Sequence, residues 1–200
     1  GESFDHTYGG LNYDPKFMMP NNYHFLLRHA YQNNDKTLQD YVNLTLTKIA
    51  YGGIYDPIGG GFSRYAVDKK WHIPHFEKML YDNALLVSLY ADAYLVTKNP
   101  LYKDVVTETL EYIKKEMTAN NGAFYSSLDA DSNNAEGKLV EGAYYVWTEA
   151  ELKTLLKDDF DLFSEYYNIN DYGFWEHDNY VLVRKDDDAT ILKKFNLSEN

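Results

Sequence analysis

The stretch NYHFLLRHAYQNNDKTLQDYVNLTLTKIAYGG, residues 22–53, decides the fold. Phe25, Leu26, Leu27, Ala30 and Tyr31 give one broad apolar face at helical spacing, and Leu38, Tyr41, Val42, Thr45, Leu46 and Ile49 repeat it. The polar turn from Gln32 to Lys36 joins the two as an αα-hairpin. Gly52 and Gly53 end the second helix, as residues able to take the left-handed conformation. Working outward, a third helix is predicted over about 76–97 and a fourth over 101–117, the latter with Tyr102, Val105, Val106, Thr109, Leu110, Ile113 and Met117 on one stripe behind Pro100. A shorter pair follows, TEAELKTLLK and DFDLFSEYYN, in which Thr148 and Glu151 have the spacing of a capping box. NYVLVRK alternates like a strand, and residues 191–195 close the chain with a helical turn. The predicted hairpins thus occupy about 21–51, 76–117 and 148–167.

A glycine-aromatic phrase recurs between the helices: YGGLNYD at Tyr8, YGGIYD at Tyr51, NGAFYS at Asn121, EGAYYVW at Glu141 and YGFWE at Tyr172. Helical hairpins alternating with such loops predict an all-α repeat, either a toroid or a stack of hairpins, with loops gathered at one end around a pocket. Three or so hairpins leave the ring open. The expectation is therefore self-association through the open edge, or one partial toroid domain over 1–200.

Composition narrows the partners. The chain has 19 Lys and Arg against 31 Asp and Glu, a net charge of −12, which repels nucleic-acid phosphates and anionic lipid alike. No apolar run approaches the ~20 residues of a membrane span. With 44% hydrophobic residues a packed core is available. Absent cysteines exclude disulfides and thiol catalysis. A cytoplasmic location is expected. Twenty tyrosines suit a wet cavity or the edge of a core equally well.

WHIPHFEKMLYDNALL, residues 71–86, gathers most of the candidate chemistry. Pro74 predicts a helix start near His75, placing His75 and Glu77 at its positive end, where an imidazole stays neutral. The helix that follows is apolar almost all round and reads as centrally buried. Asp82 and Asn83 are then buried or face a cavity, with Lys78 spaced to pair with Asp82. The histidines lack the HEXXH pattern of a zinc site. Asp129, Asp131 and Asn133 match three EF-hand ligand positions, but Asn134 and Val140 stand where glycine and glutamate are required. No metal and no cofactor is expected. The Asp129–Asp131 turn reads chiefly as a solvated Asx turn, and GGGFSR as a turn presenting Arg64 to Asp68, Glu141 or a substrate anion.

The blocks YGGIYDPIGGGFSRYAVDKKWHIPHFEKMLYDNALL, FYSSLDADS and EGAYYVWT resemble the region after the thioredoxin-like domain in thioredoxin-domain-containing proteins related to spermatogenesis-associated protein 20. The resemblance runs from YGGLNYDPKF to about Thr148. It implies an (α/α)6 toroid like those of six-hairpin glycosidases and N-acylglucosamine 2-epimerases, and a sugar-related activity without an established reaction. The thioredoxin-like domain and the remaining hairpins are missing from this chain, so no redox function is carried over.

A glycosidase needs two carboxyls about 5–9.5 Å apart, and an epimerase or isomerase needs a base titrating near neutrality. The candidate catalytic residues are His72, His75, Glu77 and Asp82. Arg64, Tyr65, Trp71, Tyr81, Asn83, Asp129, Asp131, Glu141 and Tyr144 are the candidate binding residues for a small carbohydrate. The alternative is a non-catalytic scaffold in which these polar groups bond to loop backbone.

Overall fold

The computed structural model describes residues 3–198. Its helices are α1 (Pro20–Gln32), α2 (Lys36–Tyr51), α3 (Leu80–Thr97), α4 (Pro100–Glu116), α5 (Glu149–Leu156), α6 (Phe160–Tyr167) and α7 (Asp188–Lys194). Several start where side chains satisfy the open amides of the first turn. Asp35 accepts from Leu38 N, Asn99 from Leu101 N and Asp187 from Thr190 N. Thr148 and Glu151 form the expected capping box. Pro20 and Pro100 sit at first helical positions, where no amide is needed.

The hairpins α1–α2 and α3–α4 pack side by side, α1 on α3 and α2 on α4. Their shared core joins Val42, Leu46 and Ile49 of α2 to Leu86, Leu89, Tyr90 and Ala93 of α3 and Tyr102 and Val105 of α4. Part of the tyrosine excess is spent here, because a buried phenol needs a partner for its hydroxyl. Tyr90 donates to Leu46 O at 2.6 Å, Tyr41 donates to Gly10 O at 2.7 Å, and the Tyr23 and Tyr41 hydroxyls share a 2.8 Å bond. Two smaller clusters lie beneath the C-terminal half, one around Phe76, Val181 and Val183, the other around Leu152, Ile169 and Leu182.

Four two-stranded antiparallel ribbons pin the loops. They pair Lys16–Phe17 with Tyr65–Ala66, Lys78–Met79 with Ser127–Leu128, Asp131–Asn133 with Leu139–Glu141, and Trp147–Thr148 with Asn179–Tyr180.

The structure corrects five expectations. Helix α3 begins at Leu80, not near residue 76, because the backbone of 75–79 is bonded elsewhere: His75 N donates to Tyr65 O, Arg64 N donates to Glu77 O, and Lys78–Met79 joins its ribbon. Lys78 therefore precedes the helix and pairs with Asp56 at 2.8 Å, not with Asp82. Gly52 is extended, at φ −71°, and Gly53 is not left-handed either. Both are glycine because of crowding: a Cβ on Gly52 would stand 2.5 Å from Trp71 O, and one on Gly53 2.0 Å from His72 O. Helix α3 covers only one face, leaving Tyr81, Leu85, Leu95 and Val96 exposed. In NYVLVRK only Asn179–Tyr180 pairs as strand, and residues 181–183 are buried as extended chain.

Candidate functional site

Residues 64–67 and 73–77 run antiparallel, tied by Arg64 N to Glu77 O, His75 N to Tyr65 O and Val67 N to Ile73 O at 2.8–2.9 Å. This ribbon gathers the charged side chains. Glu77 Oε2 stands 3.2 Å from Arg64 Nη1 and 4.0 Å from His75 Nε2. On the other ring nitrogen, His75 Nδ1 lies 3.1 Å from Glu141 Oε1. The Tyr65 ring stacks on His75, centroids 5.0 Å apart and planes 14° from parallel. The imidazole is thus held in one plane between two carboxylates. Because α3 starts five residues later, the helix dipole does not act on His75 as the sequence suggested.

Asp82, in the first turn of α3, completes the group. Its Oδ2 is buried with no hydrogen-bond partner, and burial pushes its carboxyl up to about 6, with Arg64 opposing and Glu77 adding to the rise. A carboxylate at a helix start gains about 0.3–1 kcal/mol from the dipole, so desolvation outweighs that gain here. The rise from 3.8 to about 6 corresponds to roughly 3 kcal/mol in a fully desolvated site. Partly exposed and screened, ionised Asp82 is expected to cost about 1 kcal/mol at pH 7.

The sign gives a test. A raised carboxyl binds its proton more tightly in the folded state, so its stabilisation is complete below about pH 4 and lost as pH rises through 6. Asp82→Asn is expected to match the parent at pH 4 and to exceed it by about 1 kcal/mol at pH 7, read from urea midpoints. A variant less stable than the parent at pH 7 would refute the assignment.

The remaining candidates divide. Tyr81 is exposed one residue before Asp82, and Tyr144 is exposed beyond Glu141. Asp131 stands across the ladder from Glu141, on its face, whereas Asp129 caps the turn by accepting from Asp131 N. Trp71 is 0% exposed, donates Nε1–H to Tyr8 O at 2.8 Å and carries Lys16 over its ring. It is core, not binding surface. Asn83, also 0% exposed, is consumed by Phe62 N, Phe62 O and Met79 O. His72 leaves the group altogether: its Nε2 lies 3.2 Å from Gly173 O, and burial pushes its pKa down. In an extended segment, neighbours an odd number apart point to opposite sides, which separates His72 from His75.

Sequence reasoning missed the buried pairs Lys16–Asp5 and Lys78–Asp56, both at 2.8 Å, and the bond from Tyr55 OH to Glu108. Partners 11, 22 and 53 residues apart leave no periodic signal. Among the described residues no group of three His, Asp or Glu is placed to hold a metal ion.

No family model matches the chain. It is 43% identical over 162 residues to spermatogenesis-associated protein 20 of Mus musculus and 41% identical to that of Homo sapiens, in each case over 78% of this chain. An uncharacterized protein of Caenorhabditis elegans is 38% identical over 186 residues. The chain spans 20–25% of the length of these curated relatives. A solved structure described as a novel alpha-amylase from Clostridium perfringens aligns with 92% of this chain and 57% of its own, at 12% identity and a TM-score of 0.41.

Proposed function

We propose that the chain is a carbohydrate-binding, sugar-modifying domain whose polar centre is Arg64, His75, Glu77, Asp82 and Glu141. One observation carries this reading: Asp82 holds a buried carboxylate oxygen without a donor, titrating near 6, beside a guanidinium and a second carboxylate. The other Asp82 oxygen, Oδ1, is left to accept from a sugar hydroxyl. A group titrating near neutrality is also what general acid–base catalysis requires. Asp82 would move the proton beside a sugar carbonyl in an epimerase or isomerase, while Arg64 and Glu77 hold neighbouring oxygens and the exposed Tyr81 offers ring surface. The side-by-side packing of α1–α2 on α3–α4 supports placing the chain within an (α/α)6 toroid, in which further hairpins would cover the exposed face of α3.

The test is a panel of aldoses, ketoses and N-acyl hexosamines, read by thermal shift and by NMR for interconversion. A ligand at 100 times its Kd is expected to stabilise the fold by about 2.7 kcal/mol. Asp82→Asn is expected to stay folded and to lower turnover by about 10²-fold or more. Failure of every sugar to bind, or undiminished turnover in the variant, would overturn the proposal.

A second reading has its own observation. Trp71, Lys78 and Asn83 of the same block are wholly engaged in internal contacts, as in a non-catalytic scaffold. That reading predicts a folded chain that binds none of the panel.

A further inference from the structure

His72, displaced from the polar centre, lines a different cavity of about 220 Å³. The cavity shares no residue with the Asp82 group and is walled by Lys48 from the last turn of α2, Lys70 from the loop before His72, and Arg184. Among the described residues neither Lys48 nor Lys70 has an ion-pair partner, and the cavity brings the two together.

Arg184 is the fixed member of the set. Its guanidinium carbon lies 4.3 Å from the Tyr51 ring centroid and 4.4 Å from that of Tyr166, and its Nη2 bonds Asp188 at 2.5 Å. Its Nε is buried and lacks an acceptor. The carbonyls at the end of α2 do not oppose an anion strongly: Lys48 O and Ile49 O accept from Gly52 N, and Tyr51 O accepts from Arg184 N. His72 anchors the wall through Gly173, and Asp171 is the one acid among the lining residues.

We propose that this cavity binds a phosphate group, the charges of Lys48 and Lys70, with Arg184 in the same wall, being set against a phosphate dianion. The volume limits the ligand. Sites for drug-sized molecules occupy about 300–1,000 Å³, so free phosphate or a small phosphate monoester fits and a nucleotide does not.

The experiment titrates the chain with inorganic phosphate, and separately with glycerol 2-phosphate, by calorimetry at constant ionic strength balanced with sodium chloride. Saturable binding of phosphate is expected, at least tenfold weaker in Lys48→Gln/Lys70→Gln and unchanged in Lys103→Gln, a lysine outside the cavity. Tighter binding of glycerol 2-phosphate assigns the cavity to a phosphorylated organic ligand, and equal or weaker binding to the free ion. Both lysines lack ion-pair partners, so the double variant should melt as the parent does without phosphate; if it does not, the exposed Lys70→Gln alone carries the comparison. No saturable binding, undiminished affinity in the lysine variants, or equal weakening by Lys103→Gln would overturn the proposal. Asp82→Asn is expected to bind phosphate as the parent does, which separates this site from the carbohydrate reading.

Discussion

Lys78→Met is expected to destabilise the chain by about 3–5 kcal/mol, the cost of removing one partner from a buried ion pair. The Lys78 side chain is 2% exposed and Asp56 15%. The ammonium donates to Asp56 Oδ2 and to Gly60 O, both at 2.8 Å, and sits 4.6 Å and 4.8 Å from the ring centroids of Tyr112 and Tyr145. Methionine fills the path of the lysine stem but leaves the Asp56 charge and the Gly60 carbonyl without a donor. Against a total stability of about 5–15 kcal/mol, that loss is a large fraction of what holds the domain folded.

A double-mutant cycle separates the charge from the packing. Asp56→Asn keeps Oδ1 as acceptor for the Ile58 and Gly59 amides, so the turn at 56–59 survives. It removes the charge facing Lys78 and, because Nδ2–H2 takes the place of Oδ2, the acceptor of the Lys78 hydrogen bond as well. Lys78→Met/Asp56→Asn is therefore expected to be more stable than the sum of the single losses by at least about 1 kcal/mol, the range of coupling between residues in contact. Additive losses in urea unfolding would show that the pair contributes nothing beyond its side-chain volume.

Gly53→Ala is the second large effect. Its new Cβ would lie 2.0 Å from the His72 carbonyl oxygen and 2.4 Å from Val181 Cγ1. The first of these is backbone, held by a loop that the Asp68 carboxylate pins through the amides of residues 70, 72 and 73. Nothing flexible can yield, so the expected loss is about 3 kcal/mol, the upper end for overpacking. Gly137 supplies the contrast. It is left-handed at φ +76° with nothing within 4 Å of a Cβ, so Gly137→Ala bears only backbone strain, about 1–2 kcal/mol. If the two alanines cost the same by urea denaturation, close approach is not why residue 53 is glycine.

The helices α1, α2 and α4 were legible because each is amphipathic over more than three turns and begins at a proline or a capping side chain. The short helix α5 was marked by its capping box. Helix α3 was legible in its end but not in its start or its length. Glu77, Lys78 and Met79 are good helix formers, and only their bonds to residues 64 and 127–128 hold them extended. The candidate site fared likewise. Composition placed His75, Glu77, Asp82, Arg64 and Glu141 among the chemically interesting residues, but could not show that Trp71 and Asn83 turn inward or that His72 faces another cavity.

The sequence by itself determined what short-range physics controls: the helical hairpins, their caps, the acidic surface and the pool of residues from which a site could be drawn. Only the tertiary structure decided whether WHIPHFEK is helix or ribbon, which acid each buried lysine meets, and which face each histidine serves. Those outcomes rest on hydrogen bonds and ion pairs between residues far apart in the chain, whose energies exceed the few tenths of a kcal/mol by which local propensities differ.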